Sequence, residues 1–180
     1  SGNLVQRNWA SRRVNADDAS YAQTGCANPY GIYTPLHTAR FQAEDVAKRL
    51  EAFTAAQVPT RLTLLASVKA YGAYALVALG EGFCEMALDG GSLMTPVDVL
   101  KLAEQRFTES LAFSAQVNSA DLRNMASVGR ARVRLDLNNF AGAIADASTV
   151  TSGYVKNAAR DESDTRRYNS ICANITCAAF

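Results

Sequence analysis

The fold is decided by residues 61–79, RLTLLASVKAYGAYALVAL, which place apolar side chains around most of a helical circumference. A helix of this kind is buried between neighbouring helices rather than lying on a surface. The segment Val58-Pro59-Thr60 comes directly before it, and such a sequence ends one helix and caps the next. We therefore expect an all-α protein with this helix at its centre.

Four more helices are predicted, one before the central helix and three after it. Thr34-Pro35 and Thr95-Pro96 each read as an N-cap followed by proline at the first helical position, and Ser119 caps a further helix that reaches about Leu137. Asn138-Asn139 predicts a turn, because asparagine tolerates the left-handed conformation. The first helix is predicted to reach about Gln57, and its inner face consists of Leu36, Ala39, Ala43, Val46, Leu50 and Phe53. The inner face of the third helix consists of Val99, Ala103, Phe107 and Leu111. That of the fifth consists of Phe140, Ala143, Ile144 and Ala147.

The chain of 180 residues has the length of one domain with a sizeable core. Within it we expect an irregular N-terminal arm over residues 1–33, a helical domain over 34–153 and an irregular C-terminal tail over 154–180. The glycine-rich segment Gly80 to Met94 is predicted to be a long loop, and loops of that length often carry function.

Composition and charge exclude several classes of protein. Hydrophobic residues make up 48% of the chain and charged residues 19%, which is too apolar for a disordered protein. The formal charge of +1 gives no global field that would favour nucleic acid. The most apolar segment, Leu62 to Leu79, is interrupted by Thr63, Ser67 and Lys69, so no membrane span is expected.

The cysteines favour an oxidising environment. Cys26, Cys84, Cys172 and Cys177 are even in number and form no Cys-x-x-Cys pair. Disulfides between Cys172 and Cys177 and between Cys26 and Cys84 are our working pairing, although four cysteines permit three connectivities. Four reduced thiols in a cytosolic protein are the alternative.

No catalytic, metal or cofactor site emerges from the residue pattern. His37 is the single histidine and has no nucleophile motif near it, so neither a zinc site nor a catalytic base is expected. Gly80-x-Gly82 does not follow a strand, which removes the basis for a phosphate loop. We expect a non-enzyme without cofactors.

Small and aromatic residues at helical spacing resemble the tetratricopeptide repeat, in which two helices approach closely across a turn. The residues that carry this resemblance are Ala131, Val133, Asn138, Phe140 and Ala143, and also Tyr71, Gly72, Tyr74 and Leu79 followed by Ala103, Phe107 and Leu111. They predict a tetratricopeptide-like array of antiparallel helical hairpins.

A second resemblance covers most of the chain. Its residues are Ser11-Arg12-Arg13-Val14, the run from Leu79 to Glu85, Asp89-Gly90-Gly91, Ala103 to Phe107, Gly129 to Arg132 and Arg166-Arg167-Tyr168-Asn169. In these segments the chain resembles the helical N-terminal part of the SusD/RagB family of outer-membrane nutrient-binding proteins. The resemblance implies an exported, non-catalytic bacterial protein at the cell surface. Family members are longer lipoproteins, so this chain is expected to lack much of their glycan site.

These patterns together predict an extracellular helical scaffold. A tetratricopeptide-like array buries its faces by stacking, so it can continue across subunits as a filament or dock on another surface protein. The arm and the segment from Tyr168 to Phe180 are the expected inter-subunit elements. A SusD-like glycan-binding module is the alternative.

The remaining candidate sites are aromatic residues and one sequon. Trp9, Tyr30, Tyr33 and Phe83 are candidates for a ligand or protein interface, and stacking on sugar rings competes with simple anchoring of the arm. Asn174-Ile175-Thr176 is an N-glycosylation sequon that lies between two cysteines. We treat Asn174 as a candidate for modification only.

Overall fold

The computed structural model describes residues 33–158, and they are predominantly helical. The elements are α1 (Tyr33–Ala52), α2 (Arg61–Gly82), β1 (Met86–Ala87), β2 (Leu93–Met94), α3 (Pro96–Gln116), α4 (Ala120–Asp136) and α5 (Phe140–Ala147). The predicted all-α class is confirmed. One compact unit spans Pro35–Tyr154 and contains the helical array. The prediction of a single domain overall stays a prediction.

The centre of the array is the contact between α2 and α3. Leu65 and Leu76 of α2 and Val99 and Phe107 of α3 are fully buried. The hydroxyl of Ser110 is also buried, and it donates a hydrogen bond to the Ala66 carbonyl oxygen at 2.6 Å. Burial of large apolar side chains supplies the main stabilisation, and the hydrogen bond to Ala66 satisfies the buried Ser110 hydroxyl.

The helix α2 is long and apolar enough to cross a membrane by length and composition, and it is the single such helix within residues 33–158. Half of its most apolar window is buried inside the helical unit, however, and the core helix of a soluble protein passes the same test. Lys69 on this helix pairs with Glu51 and Glu109. These contacts fit the predicted central helix.

Glycine allows α3 and α4 to approach closely. A Cβ added at Gly129 of α4 would lie 2.2 Å from Cζ of Phe107, so no other residue fits there without movement. The Phe107 ring also packs edge-on against Tyr74, with 4.9 Å between the ring centroids. The Tyr74 hydroxyl in turn donates to the Met125 carbonyl oxygen at 2.8 Å, which ties α2 to α4.

Two turns of the same design join the last three helices. Asn118 and Asn138 have positive φ angles of 50° and 60°, as predicted for the second of them. In each turn the next backbone N–H, that of Ser119 or Asn139, bonds to a carbonyl oxygen five residues back, and its side chain then caps the following helix. The chain therefore reverses at equivalent points in both places.

The first helix differs from its prediction in length and orientation. It ends at Ala52 rather than near Gln57, and Val46 and Phe53 of the predicted inner face are exposed. The buried residues are instead Arg40, Ala47 and Leu50. Two apolar stripes run along α1, and the helix turns the one containing Leu50 toward α2. The charge of Arg40 is paired with Asp89, and the pattern of apolar residues could not predict this contact.

The predicted long loop over residues 80–94 is partly regular structure, with irregular backbone and a turn between its helical and strand residues. The helix α2 continues to Gly82, and β1 and β2 form a short antiparallel hairpin in which Met86 pairs with Met94. Met86 is buried, and Asp89 and Gly90 take the positive φ angles of its turn. The prediction of one continuous loop was wrong in part, because the end of α2 and the hairpin around buried Met86 occupy about half of the segment.

The predicted inner face of α5 was also wrong. Phe140, Ile144 and Ala147 are exposed, and the one buried residue of α5 is Asp146. The helix therefore lies on α4 with Asp146 inward. The reason is electrostatic, because two arginines on α4 hold the Asp146 carboxylate.

Candidate functional site

The sequence-predicted site residues do not come together in one place. Tyr33 begins α1 and is half-buried, and Phe83 is buried directly after α2, where it forms part of the core rather than a surface. Cys84 is an exposed free thiol. Seven further candidates lie outside the described residues, so their predictions stay predictions: Trp9, Cys26, Tyr30, Cys172, Asn174, Cys177 and the tail beginning at Tyr168.

An ion pair fastens the hairpin to α1. Two guanidinium nitrogens of Arg40 donate to the two carboxylate oxygens of Asp89, at 2.8 Å and 2.5 Å, and the Arg40 side chain is only 5% exposed. These bonds lower the pKa of Asp89 below its usual value. Burial lowers the pKa of the neighbouring His37, and the positive charge of Arg40 lowers it further. A histidine held neutral beside a satisfied ion pair has the character of a structural residue.

A second set of ion pairs joins α1, α2 and α3. The Lys69 ammonium lies 3.2 Å from Glu51 and 2.9 Å from Glu109, and Arg106 lies 2.5 Å from Glu44. Burial lowers the pKa of Lys69, but the hydrogen bonds and charges of Glu109 and Glu51 outweigh it and the net pKa is raised. The network sets the register of the three helices without forming an open site.

The three arginines Arg130, Arg132 and Arg134 of α4 do not form a phosphate-binding stripe. Each is paired: Arg132 with Glu81, Arg130 with Asp146, and Arg134 with both Glu104 and Asp146. Asp146, whose side chain is 6% exposed, accepts from Arg130 at 2.6 Å and from Arg134 at 2.9 Å. Arg130 and Arg134 therefore attach α5 to α4, while Arg132 joins α4 to α2.

The inward position of Asp146 turns the apolar side of α5 toward solvent. We call Phe140, Ala143, Ile144 and Ala147 the α5 face, and Phe140 and Ile144 are 55% and 67% exposed. At the other end of the array, Ala39 and Val46 of α1 and Phe53, which directly follows the helix, are exposed and lie seven residues apart; we call these three residues the α1 ridge. Each terminal helix thus carries an apolar surface that the described residues leave uncovered.

A half-open cavity of about 390 Å³ lies between α3, α4 and the segment that follows α5. Seven of its nine lining residues are polar or charged, and the full set is Leu111, Ala120, Arg123, Asn124, Ser127, Arg130, Asp146, Thr149 and Thr151. Nearby, the Tyr154 hydroxyl donates to Asp121 at 3.2 Å, and burial together with this bond raises the pKa of Tyr154 to about 12. The volume of this cavity suits a small ligand.

Metal-ligating side chains do not gather anywhere in residues 33–158. No group of three or more histidines, cysteines or acidic residues there is arranged to hold an ion.

Comparisons with protein-family models, with curated proteins and with solved structures give no match. The resemblance to the SusD/RagB family is therefore a prediction from the sequence, and so is the tetratricopeptide-like detail of the array.

Two structurally decisive residues escaped the sequence reasoning. Arg40 and Asp146 are the buried charged residues of α1 and α5, and neither of them was singled out from the sequence. For Asp146 a signal existed, because Arg130 and Arg134 are one helical turn apart and face one side of α4. For Arg40 the partner lies 49 residues away along the chain, at a turn that the sequence did not reveal.

Proposed function

We propose that this protein is a non-catalytic helical scaffold that associates with copies of itself through the ends of its array, as a tetratricopeptide-like stack continued between subunits. The observation that carries this proposal is the orientation of α5. Its one charged residue, Asp146, is buried, while Phe140 and Ile144 are exposed. A helix oriented in this way lies at the end of the array but exposes the kind of apolar surface that an internal helix buries.

The proposed occupant of the α5 face is the α1 ridge of a second copy. Stacked helical arrays bury the outer face of one terminal helix against the first helix of the next unit. Both surfaces consist of apolar residues at helical spacing, and they lie on the two terminal helices. A contact between different surfaces of identical subunits is heterologous, so it extends into a filament or closes into a ring.

The extracellular setting belongs to the same proposal and rests on the sequence. The even cysteine count and the SusD/RagB resemblance support export to a bacterial surface. The exposure of Cys84 is compatible with a disulfide to Cys26, which mass spectrometry under non-reducing conditions would detect.

The glycan-binding alternative has less support in the described residues. Of its four candidate aromatic residues, two lie outside them, Phe83 is buried and Tyr33 is half-buried. A sugar-stacking platform needs an exposed aromatic face. Docking on a different surface protein would use the same apolar surfaces, and the following experiment distinguishes it from self-association.

Sedimentation velocity and electron microscopy of the full chain test the proposal. We expect concentration-dependent association of the unmodified protein, and weakening of at least about tenfold in Ile144→Ser, because the side chain loses its apolar contact. Leu93→Ser is the matched control, since Leu93 is 66% exposed on the hairpin and away from α5. A protein that remains monomeric at high concentration, or equal weakening by both substitutions, would contradict the proposal.

A further inference from the structure

The cavity beside α5 has the size and the chemistry of a binding site for a small polar molecule. Its volume of about 390 Å³ lies within the range of small-molecule pockets, toward the lower end. Leu111 and Ala120 are its apolar lining residues, and no aromatic residue belongs to the wall. A ligand held here must therefore be recognised through hydrogen bonds and charge.

The floor of the cavity is a preorganised set of polar side chains. Asn124 and Ser127 of α4 are 8% and 5% exposed. The Asn124 amide donates to the Thr151 hydroxyl at 3.0 Å, and the hydroxyls of Thr149 and Ser127 lie 3.2 Å apart. These groups offer both donors and acceptors in fixed positions, which suits a ligand that carries several hydroxyl groups.

The charge of the cavity comes from Arg123. Arg130 and Asp146 also line the wall, but they neutralise each other through two hydrogen bonds. Arg123 donates to the Asn118 side-chain oxygen at 3.1 Å, and no carboxylate within residues 33–158 forms an ion pair with it. The wall therefore carries one uncompensated positive charge.

One guanidinium with unused donors fits one carboxylate. A planar guanidinium binds a carboxylate through two parallel hydrogen bonds, whereas a dianionic phosphate is favoured where more than one free cation converges. Arg123 also lies in the first turn of α4, where the helix dipole favours a negative charge, although Asp121 shares that turn. The cavity thus combines one anionic position with a hydroxyl-binding floor.

We propose that this cavity binds a small hydroxylated monocarboxylate, with the carboxylate on Arg123 and the hydroxyl groups on Asn124, Ser127 and Thr151. The ligand is of about the size of a six-carbon hydroxy acid. This binding is independent of the association proposed above, because the cavity does not include the exposed apolar residues of the α5 face.

Three related probes separate the parts of this recognition. Gluconate carries the carboxylate and the hydroxyl groups, sorbitol replaces the carboxylate by a hydroxymethyl group, and hexanoate keeps the carboxylate without the hydroxyls. Titrations followed by calorimetry, on the full chain in the Ile144→Ser background, should show gluconate binding at least about tenfold more tightly than either relative. Absence of gluconate binding, or equal binding of all three, would overturn the proposal.

Two variants connect that binding to the cavity. Arg123→Gln should weaken gluconate at least about tenfold and leave the weak binding of sorbitol unchanged. Thr151→Val keeps the side-chain shape and should weaken gluconate and sorbitol alike, by a smaller factor. Arg49→Gln is the control, because Arg49 is an exposed arginine of α1 paired within its own helix. Inorganic phosphate that displaces gluconate with equal strength would overturn the assignment to carboxylates.

Discussion

The helices α2 and α5 are both rich in apolar residues, yet they use them in opposite ways. Ten of the 22 residues of α2 are buried, and they include Leu65, Leu76 and Leu79. The helix α5 buries Asp146 and exposes Phe140 and Ile144. The difference shows that an apolar helix finds its orientation from its partners, and that charged residues on α4 decide the orientation of α5.

The largest effect is expected where the array is packed most tightly. Gly129→Ala places a methyl group 2.2 Å from the Phe107 ring, so we expect a loss of about 3 kcal/mol in the free energy of unfolding. Urea denaturation followed by circular dichroism measures it. A methyl group at Gly82 of α2 meets nothing within 4 Å, so Gly82→Ala should cause no loss. If the two substitutions cost the same, close packing is not what sets the α3–α4 distance.

A smaller and more local effect is expected at α5. Asp146→Asn removes the negative charge that Arg130 and Arg134 share, and we expect a cost of about 2 kcal/mol. Hydrogen exchange should show faster exchange in α5 while the amides of α2 remain protected. Asp45→Asn is the control, because Asp45 pairs with an exposed arginine within α1 and such pairs contribute little. Uniform acceleration in all helices would show that α5 is not held separately.

The smallest effect is expected in the pH dependence of the free energy of unfolding, and it comes from the ion pairs around Lys69. Burial raises the pKa of Glu109, but its bonds to Lys69 and the charge of Arg106 outweigh burial, so the net pKa is lowered. A lowered pKa contributes stability above the unfolded value of about 4.5 that is lost as the pH falls through the folded value. Glu109→Gln should therefore cost about 1 kcal/mol at neutral pH and flatten the loss of stability in acid.

The control for the pH prediction is Glu51→Gln. Glu51 contacts the same lysine, but its side chain is half exposed, so its ion pair is screened by solvent. We expect a change below about 0.5 kcal/mol and an unaltered pH profile. An equal flattening in both variants would mean that the acid response does not come from the buried contact.

The sequence predicted the helices well because their ends and periods are local properties. Thr95 with Asp98 forms the capping box of α3, and Asn138 takes its left-handed turn, as short-range stereochemistry requires. The orientation of α1 and α5 could not be predicted in the same way. It depends on Arg40 meeting Asp89 and on Asp146 meeting two arginines, contacts that form only when separate elements have packed.

The candidate sites also divide into features that the local sequence predicts and features that depend on packing. Apolar periodicity found Phe140, Ala143, Ile144 and Ala147 as a set, but the sequence placed the set inside the array. The cavity escaped altogether, because its wall combines residues from 111 to 151 that share no motif. Arg123 became a candidate only once the partners of the other arginines were known.

The repeated turns at Asn118 and Asn138 have a consequence for how such a chain changes length. The segment from one turn to the next, residues 119–138, is a self-contained cassette with the same joint at each border. Duplication of this cassette in the gene would insert one more helix and restore the same joint. A single genetic event could therefore lengthen this array by a whole helix without a new type of connecting turn.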